Sequence, residues 1–138
     1  MKVPLSKLSW QIWVTINFII SYYLPLTVNA TVLATGKEHT CGIGNDNHLI
    51  CWGKNKWDQA TSPNESTFIQ VSAGQNYTCG IQKNDNIVVC WGQERGDGQV
   101  TPPSSTFSQI SVGFKHACGL LTDNTIACWG NNDYGQAS

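Results

Sequence analysis

Two stretches of the chain alternate apolar and polar side chains with a period of two. In FIQVSAG (68–74) Val71 and Ala73 alternate with polar neighbours, and in FSQISVG (107–113) Ile110 and Val112 do the same. That period predicts a β-strand with one buried face. Each run closes on a glycine, Gly74 or Gly113, matched by Gly36 earlier in the chain, and glycine suits a point where the backbone must turn sharply. No segment after residue 30 shows a helical apolar period, so residues 31–138 read as all-β.

The strands belong to a larger repetition. CGIGNDNHLICWG (41–53) returns as CGIQKNDNIVVCWG (79–92) and CGLLTDNTIACWG (118–130), with Cys41, Cys79 and Cys118 spaced by 38 and 39 residues. Between the paired cysteines lie GNDN, KNDN and TDN. Asp and Asn tolerate left-handed backbone angles and bond their own backbone, so these are hairpin turns. A hairpin centred near Asp46 sets Cys41 opposite Cys51, with Cα atoms about 4.5 to 5.5 Å apart, within reach of a disulfide. The stretches that follow, WGKNKWDQATSP, WGQERGDGQVTPP and WGNNDYGQAS, carry the Gly and Pro of connecting loops. A sheet of three or four short strands recurring about every 39 residues predicts propeller blades. The expected units are 33–70, 71–109 and 110–138, the last one truncated.

The first thirty residues differ in kind. Lys2 and Lys7 precede a mostly apolar stretch from Leu8 to Leu26, and small residues end in VNA at 28–30. This is the pattern of a signal peptide, a helix cleaved after Ala30, and it predicts a secreted, extracellular chain. The alternative is an uncleaved membrane anchor through residues 8–26, which Gln11, Thr15 and Asn17 argue against. Without residues 1–30 the chain keeps six basic and nine acidic residues. A mildly acidic surface with no basic cluster gives no electrostatic grip on phosphates, so nucleic acid is not an expected partner.

All six cysteines follow that segment. An even count in an exported chain points to disulfides, and of the fifteen pairings open to six cysteines the one that treats every unit alike is Cys41–Cys51, Cys79–Cys90 and Cys118–Cys128. Closing each loop of about ten residues should stabilise by roughly 2.7 kcal/mol on the chain-entropy model. Zinc is a poor alternative, because structural zinc cysteines come two to four apart. Three equivalent cysteine pairs also cannot each be a unique catalytic centre, and no nucleophile with its base and orienting partner is visible. Neither a catalytic residue, a metal ligand nor a cofactor is expected.

The motifs WG-x-N-x-x-x-Q, in the first and third copies, and G-x-x-x-(T/A)-C-G-(I/L) resemble the repeat of the regulator of chromosome condensation family. The short period and paired cysteines are similar to its β-lactamase-inhibitor protein II branch and to crinkly-type plant receptor ectodomains. The resemblance covers nearly all of 33–138 and implies a partial β-propeller of about three blades, where family propellers close with about seven. It departs in the turns, where the family's GQLG is here DQAT, GQVT and GQAS. Such a chain is expected to be a fragment or short member of a longer propeller, or to complete itself by self-association.

Other candidate residues are fewer. His39 and His116 precede their cysteines by two residues, and Tyr77 takes that place in the second copy, which points to packing or a local hydrogen bond. Trp52, Trp91 and Trp129 are expected in the core. Trp57 and Tyr134 fall at matching places in loops and are candidates for anchoring a partner, since Trp and Tyr are enriched at interface hot spots. Asn64 and Asn76 open glycosylation sequons, Asn64 in a Pro-flanked loop and Asn76 close to a stapled hairpin. The expected function is a secreted, non-enzymatic protein-binding module. The alternatives are an inhibitor of an extracellular enzyme and part of a receptor-kinase ectodomain.

Overall fold

The computed structural model describes residues 30–63 and 66–138. The expected signal-peptide helix, apart from Ala30, and the sequon residue Asn64 lie outside the described residues. The described chain forms nine strands in three sheets. The first contains β1 (Ala30–Thr35), β2 (His39–Gly44) and β3 (Leu49–Gly53); the second β4 (Phe68–Ala73), β5 (Tyr77–Gln82) and β6 (Val88–Gly92); the third β7 (Phe107–Val112), β8 (His116–Leu121) and β9 (Ile126–Gly130). Each sheet is an antiparallel meander with strands in chain order. The described residues contain no helix, and the three sheets are the blades the period foretold.

The hairpins show why these sequences turn where they do. Asn47, Asn86 and Asn124 take φ of 65°, 59° and 69°. The preceding aspartate caps each turn, with Asp46 Oδ1 accepting from His48 N, Asp85 Oδ1 from Ile87 N and Asp123 Oδ1 from Thr125 N. That geometry fixes the register of β2 with β3, of β5 with β6 and of β8 with β9, and it sets each cysteine directly against its partner. Three disulfides result, Cys41–Cys51, Cys79–Cys90 and Cys118–Cys128. The glycine of each Trp-Gly pair ends the last strand at φ of 98° to 115°, and a Cβ on it would lie 2.6 Å from a backbone oxygen of its own blade. Both facts require glycine there.

Each blade has two unlike faces. The disulfide side of the first blade, with Cys41 and Ile43, packs against Phe68, Val71 and Trp91 of the second. The disulfide side of the second, with Tyr77, Cys79, Ile81 and Val88, packs against Phe107, Ile110, Ala117 and Trp129 of the third. Each buried Trp also leans on its own blade's Phe, with ring centroids 5.9 Å apart for Phe68–Trp91 and 5.8 Å for Phe107–Trp129. Trp91 Nε1 donates to Gln59 O and Trp129 Nε1 to Gln99 O, so each indole is pinned to the loop of the blade before it. Trp52 departs from the expected core position. It is 41% exposed, because no described blade lies against its face and Ala30 stands where the other blades have Phe68 and Phe107.

The glycines after the first strand of each blade also have a different reason from the one expected. Gly36, Gly74 and Gly113 are absent from the residues with positive φ. A Cβ on Gly36 would meet Gly74 O at 2.6 Å, and one on Gly74 would meet Gly113 O at 2.6 Å. Gly36 and Gly74 are glycine where neighbouring blades converge, whereas a Cβ on Gly113 would meet only the His116 ring of its own blade.

Candidate functional site

One end of the blades gathers turns and loops. The short turn after the first strand of each blade lies there, and the loop leaving the third strand starts beside it. The Lys54 amide donates to Glu38 O at 2.7 Å, Gln93 N to Asn76 O at 2.9 Å and Asn131 N to Lys115 O at 2.9 Å. Between the three turns opens a hollow of about 430 Å³, lined by Lys37, Gln75 and Phe114 together with the converging glycines. Those three side chains occupy equivalent repeat positions. Phe114 is 58% exposed, and its prominence was missed in the sequence. The signal available was a position that reads Lys, Gln, Phe inside an otherwise constant frame.

The loops that flank the hollow share one internal frame. In the first, Ala60 N donates to Asn55 Oδ1, Trp57 N to Gln59 Oε1 and Asn55 Nδ2 to Thr61 Oγ1. In the third, Ala137 N donates to Asn132 Oδ1, Tyr134 N to Gln136 Oε1 and Asn132 Nδ2 to Ser138 Oγ. The second loop puts Glu94 in the place of that asparagine, accepting from Gly96, Gly98 and Val100 amides. Burial pushes the Glu94 carboxyl up, but the amides of Gly96, Val100, Gly98 and Arg95 together hold it below the usual carboxylate range.

On this fixed frame the outward side chains differ. Trp57 is 40% exposed with Lys56 Nζ 5.0 Å above its ring, and Tyr134 is 93% exposed. Both stand on loops at the same end as the hollow. Lys54 pairs with Glu38 at 2.8 Å, and that hydrogen bond and charge hold the Glu38 carboxyl below its ordinary value. The end therefore offers aromatic rings among mixed charges. Among the described residues no three His, Cys, Asp or Glu side chains are grouped to hold a metal ion.

The residues two before each first cysteine act between blades. His39 Nε2 lies 2.8 Å from Thr78 Oγ1, whose own proton goes to Gln59 O, so the imidazole donates through Nε2. Burial pushes the His39 imidazole below its ordinary pKa. Tyr77 donates to His116 O at 2.6 Å, and burial pushes its phenol far up, keeping it a neutral donor. Asn76 is 8% exposed and its Nδ2 donates to Gln93 Oε1. That bond joins the turn to its loop alongside the backbone bond from Gln93 N to Asn76 O.

With this geometry in view, the family model of the Regulator of chromosome condensation (RCC1) repeat matches residues 31–56 and 107–136. No curated protein matches the sequence. Among solved structures, the entire ectodomain of the Physcomitrella patens receptor kinase CR4 is similar at 28% identity and a TM-score of 0.67, covering 80% of this chain and 30% of that one. The crinkly WD40 ectodomain of the Arabidopsis thaliana receptor kinase ACR4 is similar at 32% identity and a TM-score of 0.64, covering 78% and 38%. Yeast RCC1 (Prp20), solved with Kap60, is similar in fold alone, with 15% identity, a TM-score of 0.64 and coverage of 75% and 32%. The chain thus spans well under half the length of the structures it matches. It is built of repeats of the regulator of chromosome condensation type, folded as consecutive three-stranded propeller blades that each carry a disulfide.

Proposed function

We propose that the chain is an extracellular, non-enzymatic recognition module that holds a protein partner at its loop end, and that residues 1–30 are the signal peptide that exports it. One observation carries the binding proposal: the loops around Trp57 and Tyr134 keep the same internal hydrogen bonds while presenting different exposed aromatics. A rigid frame with variable aromatic tips is how repeat proteins present partner-binding residues. Rigid aromatics give a large contact area for little lost conformational freedom. Export is supported by three disulfides in a chain of this size, which need an oxidising compartment.

Membership in a receptor-kinase ectodomain is the second reading, favoured by the 28% and 32% identity to two such ectodomains. Inhibition of an extracellular enzyme has no comparable support. The test is affinity capture from the extracellular fraction, with the unmodified chain beside Trp57→Ala and Tyr134→Ala variants whose circular dichroism is unchanged. The proposal expects at least one partner held by the unmodified chain and released by a variant. Equal recovery of every partner on all three baits would refute a loop-end site. Amino-terminal sequencing of the exported chain should begin at Thr31, and a chain still beginning at Met1 would refute cleavage.

A further inference from the structure

The two outermost faces of the blade stack are opposite in kind. On the first blade the face that would meet a preceding blade is open, with Leu33 63%, Ile50 45% and Trp52 41% exposed. The same positions on the second blade include Val71 at 4% and Trp91 at 8%, covered by the first. On the third blade the disulfide side is open. Ile126 is 74% exposed there, whereas its counterpart Val88 is 3% exposed under the third blade. Gln109, Ser111, Cys118, Leu120 and Ile126 line a recess of about 250 Å³ on this face.

We infer that these faces are the two halves of one interface, and that a second copy of this chain fills it head to tail. The junction continues an interface the molecule already makes twice. At the first internal junction His39 meets Thr78, and at the second Tyr77 packs in one cluster with the smaller Ala117. The residues left for an end-to-end junction are His116 on the leading face and Thr40 on the trailing face, which are the His–Thr combination again. The polar groups agree. Gln59 O accepts from Thr78 Oγ1 and Trp91 Nε1 together. Gln136 sits in the same loop frame as Gln59, yet its carbonyl meets no donor and Trp52 Nε1 meets no acceptor among the described residues. Across the junction Gln136 O would receive Trp52 Nε1 and Thr40 Oγ1 of the next copy. On the inner strands, Gln70 and Ser72 bond the Ile110 and Val112 backbone, and Gln109 and Ser111 are their unused equivalents. Self-pairing of like faces would match none of these groups, so the contact is heterologous, and such contacts build rings or open arrays. The inference stands apart from what binds the loop end.

The experiment uses the full oxidised chain in sedimentation equilibrium, with Leu33→Asp to block the trailing face and Ile126→Asp to block the leading one. Both positions are exposed in the single chain, so neither change disturbs its core. The unmodified chain should grow in mass with concentration from about 1 µM to 1 mM. Each variant alone should lose that growth, and an equimolar mixture should form a dimer and nothing larger, since each supplies the face the other lacks. Restored dimerisation also shows that both variants are folded. His116→Tyr alone should weaken association about tenfold or more, and Thr40→Ala in the same chain should restore it by recreating the Tyr–Ala pairing. A chain that is monomeric throughout overturns the inference and leaves the faces to a different polypeptide. Dimers of either single variant, or a mixture that stays monomeric, overturn it as well.

Discussion

Position 33, 71 or 110, on the first strand of its blade, holds an apolar residue in all three repeats, and its surroundings differ only by whether a blade lies against it. Ile110→Ala and Leu33→Ala remove the same three carbon atoms, from a side chain that is 3% exposed and from one that is 63% exposed. At about 0.8 kcal/mol per buried carbon the transfer contribution at Ile110 is about 2.4 kcal/mol, and the cavity left between blades raises the total to about 3. Only about a third of that transfer contribution applies to Leu33, or about 0.9 kcal/mol. The difference of about 2 kcal/mol corresponds to a fall in Tm of about 10 °C for Ile110→Ala beyond that for Leu33→Ala. Urea denaturation of the oxidised chain, followed by tryptophan fluorescence at a dilution where it is monomeric, measures both effects. The m-value should be unchanged while the midpoint moves. Equal losses at the two positions would refute the reasoning, because the trailing face of the first blade would then be covered within a single chain.

Gly74→Ala should destabilise by about 1 to 3 kcal/mol, since its Cβ meets the Tyr77 ring and Gly113 O across the junction. Gly113→Ala meets only the His116 ring, so its midpoint should move less in the same urea experiment. For pH, burial holds the His39 imidazole below its ordinary pKa of about 6.5, so the unfolded chain takes up the proton first. The stability it contributes is complete above that value and is lost as pH falls toward the lower folded pKa. Midpoints measured from about pH 7.5 down to 5.5 should fall further for the unmodified chain than for His39→Gln, and parallel curves would contradict a neutral buried imidazole.

The sequence carried the blade well because its determinants are local. Asp46, Asp85 and Asp123 mark the hairpins, the hairpins oppose the cysteines, and the strand period orients the faces. Relations between blades were less legible. Trp52 is followed by Gly like Trp91 and Trp129, and it is exposed because no described blade lies against its face and Ala30 stands where the other blades have a Phe. Gly36 and Gly74 were read as turn residues, although their constraint is a carbonyl from the next blade. The bonds from Trp91 and Trp129 to Gln59 O and Gln99 O involve backbone oxygens, which no residue type announces. Trp57 and Tyr134 were visible as loop aromatics, whereas Phe114 became prominent only when the three turns were seen to surround one hollow.

The claim on which the rest stands is that every blade is closed by a disulfide of its own. Tryptic mapping without reductant tests it directly, because Lys and Arg cut the chain into distinguishable pieces. The account predicts peptide 38–54 with an internal bridge, peptides 57–83 and 84–95 joined to each other, and peptide 116–138 with an internal bridge. A bridge joining 38–54 to 116–138, or either of them to the central pair, would contradict it.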